Sequence, residues 1–348
     1  MKTRFSVGLP VARNDAFLSE LLRCRADIAE VYFSYGDFPS GRGSPAAAGE
    51  RETAEQTRAR QMASLGALHE AGIPLNLLLN ANCYGAESQS RAFFERIGET
   101  VDSLRGYGLS SVTTTSPLIA RFIHENFAGI ETRASVNMEI GTVEGMRYVE
   151  GLFDGYYLRR EYNRDLRRIR AARAYCDGAG KRLYMLANSG CLNFCSAHIF
   201  HDNLVAHEAE IARQDNAYAF MGVCRDFLSD PARRAEYPAL TNFVRPEDID
   251  AVAPYFDGIK LATRVTPHAG EILRAYLRRR HSGAVTDLLE PCHTALFFPY
   301  IFENRRIPDD FFGRVSTCDK DCGHCDYCKQ ITGQALVNPE EYLCSLHR

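Results

Sequence analysis

An alternation in the chain constrains its fold more than any other feature. Eight short apolar, β-branched or aromatic runs occur at residues 6–9, 30–34, 74–79, 111–115, 131–136, 155–158, 182–186 and 258–261. They have the length and residue types of buried strands. Helix-period segments stand between them at residues 16–24, 118–126, 143–150, 164–177 and 269–280. Asn14 precedes the first as an N-cap, Ser116-Pro117 opens the second, and Thr266-Pro267 precedes the last. A β-then-α alternation implies a parallel sheet, and eight units close a (β/α)8 TIM-like barrel. The competing architecture is an open, doubly wound sheet. No Gly-x-Gly-x-x-Gly follows the first strand, and the count reaches eight, so an α/β barrel is expected.

Two regions exceed a minimal barrel. Residues 190–254 form a long insertion after strand seven, and residues 282–348 extend beyond the last helix. The expected organisation is a barrel domain over 1–281 that includes the insertion, followed by a C-terminal extension that binds a metal cluster. Residues 39–48 are rich in Gly, Pro, Ser and Ala and are expected to form a loop over the barrel mouth.

Barrel active sites lie at the C-terminal ends of the strands. Those ends are unusually polar here. They carry Tyr35 and Asp37; Asn80, Asn82 and Cys83; Asn137 and Glu139; Arg159, Arg160 and Glu161; Asn188, Ser189 and Cys191; and Lys260 with Arg264. Lys260, Arg264, Arg159, Asn188 and Asn137 are the candidate catalytic residues. A guanidinium beside an ammonium suits a carboxylate or phosphate. The plainer reading is ion pairing with the nearby Glu161 and Asp257.

The chain has 12 cysteines. No apolar run is long enough to span a membrane and the start reads as a strand, so a cytoplasmic location is expected. In that compartment a disulfide framework does not form. The run Cys318-x3-Cys322-x2-Cys325-x2-Cys328 places four thiols within eleven residues. Zinc knuckles come as two pairs with a long gap between them, whereas serial spacing matches a 4Fe-4S cluster. Cys318, Cys322 and Cys325 also fit the three-cysteine spacing of radical S-adenosylmethionine enzymes. That motif belongs after the first barrel strand, so the match reads as coincidence. A second group, Cys191-x3-Cys195 with Cys224, follows strand seven, accompanied by His198, His201 and His207. It is a candidate cofactor-binding set at the mouth, with Cys83, Cys292 or a non-protein group as the fourth ligand. Two 4Fe-4S clusters are therefore expected.

The motifs Ala187-Asn-Ser-Gly-Cys191, Gly222-Val-Cys224-Arg225, Arg245-Pro-Glu-Asp-Ile249 and Asp257-Gly-Ile-Lys260 with Arg264 fall in a known order. In that order the chain resembles the collagenase-like peptidase family, which includes the UbiU/UbiV-like oxygen-independent hydroxylases and bacterial RNA hydroxylases. The resemblance covers roughly half the chain, from strand four to strand eight. It implies a barrel, a 4Fe-4S cluster held by cysteines after strand seven, and oxygen-independent hydroxylation. This chain departs from the family in three ways. It reads Lys260-Leu-Ala-Thr-Arg264 where the family has a glutamate, its Cys191–Cys195 spacing is short, and its C-terminal cysteine run is extra.

The resulting expectation is an iron–sulfur redox enzyme acting on a small molecule or peptide. An electron-donor protein and a homo- or heterodimer are compatible with it. The alternatives are a peptidase-like hydrolase, an RNA-modifying hydroxylase and a non-enzymatic electron carrier. No Gly-x-Ser-x-Gly or His-Glu-x-x-His supports a hydrolase. The arginines between residues 158 and 182 could contact RNA, but the net charge of −3 and the interrupting carboxylates favour a solvated helix face.

Overall fold

The computed structural model describes residues 3–10, 13–42, 53–338 and 340. Eight parallel strands close into a barrel: β1 (Phe5–Gly8), β2 (Ile28–Phe33), β3 (Leu75–Leu79), β4 (Leu109–Thr114), β5 (Glu131–Ala134), β6 (Gly155–Tyr157), β7 (Arg182–Leu186) and β8 (Gly258–Leu261). β1 pairs with both β2 and β8, which completes the closure. The expected (β/α)8 barrel is the observed fold, and each predicted strand lies within about two residues of its expected bounds.

Local chemistry sets the helix starts. The Asn14 side chain accepts from Phe17 N, and Ser116 accepts from Ile119 N with Pro117 in the first turn. The helix at Ala269–Arg278 differs from expectation. Thr266 is not its cap; His268 stands there without a side-chain cap bond, and Thr266 Oγ1 accepts from His268 N at 3.1 Å. Two helices between barrel strands were missed from sequence, Ala54–Glu70 and Arg91–Arg105, as were the helices of the insertion and the extension. The first buries only Leu65 and Leu68 in 17 residues, too sparse a stripe to reveal the period. A Thr53/Gln56 capping box starts it all the same.

The barrel interior is partly polar. Arg133 Nη1 donates to both oxygens of Glu30 at 2.7 Å, and its Nη2 donates to Glu131 at 2.9 Å. Asn76 donates to Glu30 at 2.9 Å and accepts from Thr113 at 3.0 Å. This paired layer lies beneath the mouth, so the buried charges are balanced where they sit.

A second apolar core lies outside the barrel. Leu228, Tyr237 and Phe243 of the insertion pack with Val285, Leu289, Phe297, Phe302, Phe311, Val315 and Ile331 of the extension. The two regions that overrun a minimal barrel thus share one core, although far apart in sequence. Residues 43–48 of the expected mouth loop lie outside the described residues, as does Cys344. Among the described residues no helix is long and apolar enough to cross a membrane.

Candidate active site at the barrel mouth

Lys260 and Arg264 sit at the end of β8, both buried. The Lys260 ammonium lies 3.9 Å from the Tyr32 ring centroid. Burial, then the neighbouring Arg264, pulls the lysine down to about 7. Arg264 donates to Ser40 Oγ at 2.7 Å, which anchors the start of the mouth loop. Asp257, a sequence candidate for pairing with them, instead binds Arg173 at 2.6 Å on the outside.

The other candidates are held by neighbours. Arg159 pairs with Glu161 at 3.1 Å and with Glu139 at 3.4 Å. Asn137 accepts from Arg160 Nη2 at 2.8 Å. Asn188 donates to Ala262 O at 3.1 Å and to Leu288 O at 2.8 Å, and accepts from Ala262 N at 2.7 Å. Its amide is committed to joining the ends of β7 and β8 to the extension, so it acts in positioning.

Three of the mouth thiols lie within electrostatic reach of the buried Tyr237. Burial, then Cys191 and Cys195, pushes the Cys224 thiol up. Burial, then Cys292, Cys191 and Cys224, pushes the Tyr237 phenol up. Cys292 thus joins the three predicted thiols, while Cys83 lies elsewhere. The backbone explains the approach. Ser189 bridges Glu290 in parallel, and Gly190 N donates to Glu290 O at 2.9 Å. A Cβ on Gly190 would sit 2.2 Å from Pro291 O, so only glycine allows the Cys191 loop to lie against the Cys292 segment.

Positive groups surround these thiols. Arg160 Nη1 lies 3.4 Å from Cys191 Sγ, and Arg42 is close enough for Cys191 to raise it. Arg42 also pairs with buried Asp202 at 3.0 Å and with Glu290 at 3.7 Å. His198 stands between Glu139 and Asp202. Sequence reasoning gave no role to Arg42, Asp202 or Tyr237. The i, i+4 spacing of His198 and Asp202 was the available signal.

The donor set fits an iron–sulfur cluster. It is all sulfur, and guanidinium groups offset the negative charge of a thiolate-held cluster. Among the described residues no three His, Cys, Asp or Glu side chains converge on a point for a single metal ion. A cubane spreads its four thiolates over four irons and does not need them to converge.

Cys318, Cys322, Cys325 and Cys328 line a different cavity, of about 340 Å³, with Glu236, Ala239 and Leu240 on its wall. Cys83 is paired with His207, which holds its thiol below the usual range. His207 Nδ1 lies 2.9 Å from Glu210, and Gly85 N donates to Cys83 Sγ at 3.4 Å. The arginine stripe is largely engaged. Arg164 is buried, Arg173 pairs with Asp177 at 2.8 Å, and Arg182 pairs with Glu131 at 2.8 Å.

No protein-family profile matches the chain. It is 24% identical over 269 residues to the uncharacterized protease MJ1657 of Methanocaldococcus jannaschii, covering 76% of this chain and 77% of that protein. Its fold resembles the U32 peptidase Mk0906, with a TM-score of 0.53 and 14% identity, covering 74% of this chain and 91% of that one. The chain is therefore similar in sequence to a protein named as a protease and similar in fold to a U32 peptidase.

Proposed function

We propose that the barrel mouth is an iron–sulfur redox site, held by Cys191, Cys195, Cys224 and Cys292, that modifies a small molecule or peptide by oxygen-independent hydroxylation or related chemistry. The observation that carries this reading is the close approach of the Cys191 loop to the Cys292 segment, with Cys224 within electrostatic reach of Cys191 and Cys195. When bound, a cluster there supplies one-electron chemistry. The chain's own groups do the rest. Arg264, fixed by Ser40, offers a guanidinium to a substrate carboxylate or phosphate. Lys260, with a pKa near neutrality, can take up or release a proton at its Nζ. Arg160, whose Nη1 lies 3.4 Å from Cys191 Sγ, places a positive charge beside the thiol set. The test is single serine substitution of the four cysteines under anaerobic conditions. Each is expected to remove iron from the mouth site. Full iron retention in all four variants would refute the assignment.

The protease name of the relative gives a second reading some weight. Cys83, His207 and Glu210 have the order of a thiol nucleophile, its base and the group that orients the base. Of these, Cys83 lines a cavity of about 580 Å³ together with Asn82, Thr115, Asn137 and Glu139. As a hydrolase, the thiolate would attack a carbonyl, and His207 would hand the leaving amine its proton. Alkylation by iodoacetamide near neutral pH discriminates. This reading expects Cys83 to react faster than the other thiols and to slow several-fold in His207→Ala. An ordinary rate at Cys83 eliminates it.

A further inference from the structure

The two cysteine groups share a wall. On one side, Leu192 bridges Thr241 in antiparallel fashion, and Asn193 N donates to Leu240 O at 2.7 Å. Asn193 Nδ2 donates to Ala239 O at 3.0 Å. These residues directly follow Cys191. On the other side, Glu236, Ala239 and Leu240 line the cavity of Cys318, Cys322, Cys325 and Cys328. The short helix Tyr237–Leu240 packs against the helix Tyr327–Ala335, whose first turn carries Cys328. The Tyr237 hydroxyl lies 3.2 Å from His293 Nδ1, next to Cys292, and Ala239 and Leu240 of its helix line the cavity of the C-terminal thiols.

Arg164 ties this wall together. It is 1% exposed, and its guanidinium donates to Pro238 O at 2.5 Å and to Thr241 O. Its Nη1 is buried with no hydrogen-bond partner. A buried, unpaired guanidinium N–H is costly and calls for an anionic acceptor. The thiols that act on Arg164 electrostatically are Cys328 and Cys318. Cys318, Cys322 and Cys325 are exposed, whereas Cys328 is half-buried. The cavity therefore opens to solvent at one end and meets the wall at the other.

We propose that the C-terminal cavity holds a 4Fe-4S cluster that takes single electrons from a reduced one-electron carrier protein and passes them across residues 236–242 to the mouth site. The inference rests on the mouth reading for its acceptor. In each transfer the carrier is oxidised by one electron, the C-terminal cluster is reduced and reoxidised, and the mouth cluster is reduced by one. Arg164 is a positioning residue that donates toward the C-terminal cluster and braces the wall.

The experiment uses full-length protein purified anaerobically, with iron, zinc and sulfide analysis and EPR of the dithionite-reduced state. The wild type is compared with Cys318→Ser/Cys322→Ser and Cys191→Ser/Cys195→Ser. Each double variant is expected to lose half the iron and to keep a simple isolated signal. The fully reduced wild type is expected to show a signal broadened by spin–spin interaction between neighbouring clusters. Arg164→Met is expected to lower the potential of the C-terminal cluster, because a nearby positive charge is gone; an unchanged potential removes Arg164 from the scheme. Zinc in the C-terminal site overturns the proposal and leaves the mouth reading standing. Two clusters with superposed, non-interacting signals overturn the relay alone. Iron lost only from the C-terminal variant overturns the mouth reading, and with it the relay.

Discussion

Lys260 is the residue whose chemistry is set most sharply by its surroundings. Its ordinary pKa is about 10.4, and burial brings it to about 7. The folded state therefore binds fewer protons than the unfolded state between those two values. Stability contributed at this site is lowest below about pH 7 and rises as pH climbs toward the lysine's ordinary range. Lys260→Met removes the buried ammonium. Its stability gain over the wild type is expected to be largest near pH 6 and to shrink as the pH rises, read from denaturation midpoints across pH. A difference that does not change with pH would contradict the assignment. The sequence placed Lys260 and Arg264 together at a strand end, but it held no sign that the Tyr32 ring would lie against the ammonium. Arg159 shows the converse, because its carboxylate partner Glu161 is two residues away and was visible in the sequence. Cys292 was only one of several possible fourth ligands. Its approach depends on Gly190 fitting against Pro291, a contact across 101 positions that no local pattern encodes.

At the scale of elements, the strands were legible because each is a short, nearly continuous buried run. β3 is buried along its whole length, from Leu75 to Leu79. The capped helices were legible from Asn14 and Ser116-Pro117. The helix at Ala54–Glu70 was not, since its apolar stripe is too thin. The insertion resisted reading for another reason. Its helices are short, and their stability comes from a core they share with the extension. Phe302 lies in that core, fully buried, stacked on Phe297 at 5.5 Å and edge-on to Tyr237 at 6.0 Å. Phe302→Ala is expected to destabilise the fold by about 3–5 kcal/mol. Because Tyr237 loses a neighbour, the variant is also expected to bind less iron at the mouth. Equilibrium unfolding and iron analysis on one preparation check both, and a cost near zero would contradict the shared core.

At the scale of the molecule, the barrel supplies a mouth, and the two regions added to it supply most of the sulfur. Cys191, Cys195 and Cys224 come from the insertion that follows β7, and Cys292 from the extension. The C-terminal run lies on the far side of the wall that the insertion builds. The sequence reading had the thiols and their two groups, but not the wall between them or the charge of Arg42, Arg160 and Arg164 around them. Likeness to a protein named as a protease does not fix the chemistry, and metal content separates the two readings. The most direct measurement is the iron and acid-labile sulfide content of anaerobically purified Cys318→Ser/Cys322→Ser, in which the mouth is the remaining thiol set. The account predicts about four irons and four sulfides per chain, lost when Cys292→Ser is added. Stoichiometric zinc without iron, or no metal at all, would contradict it.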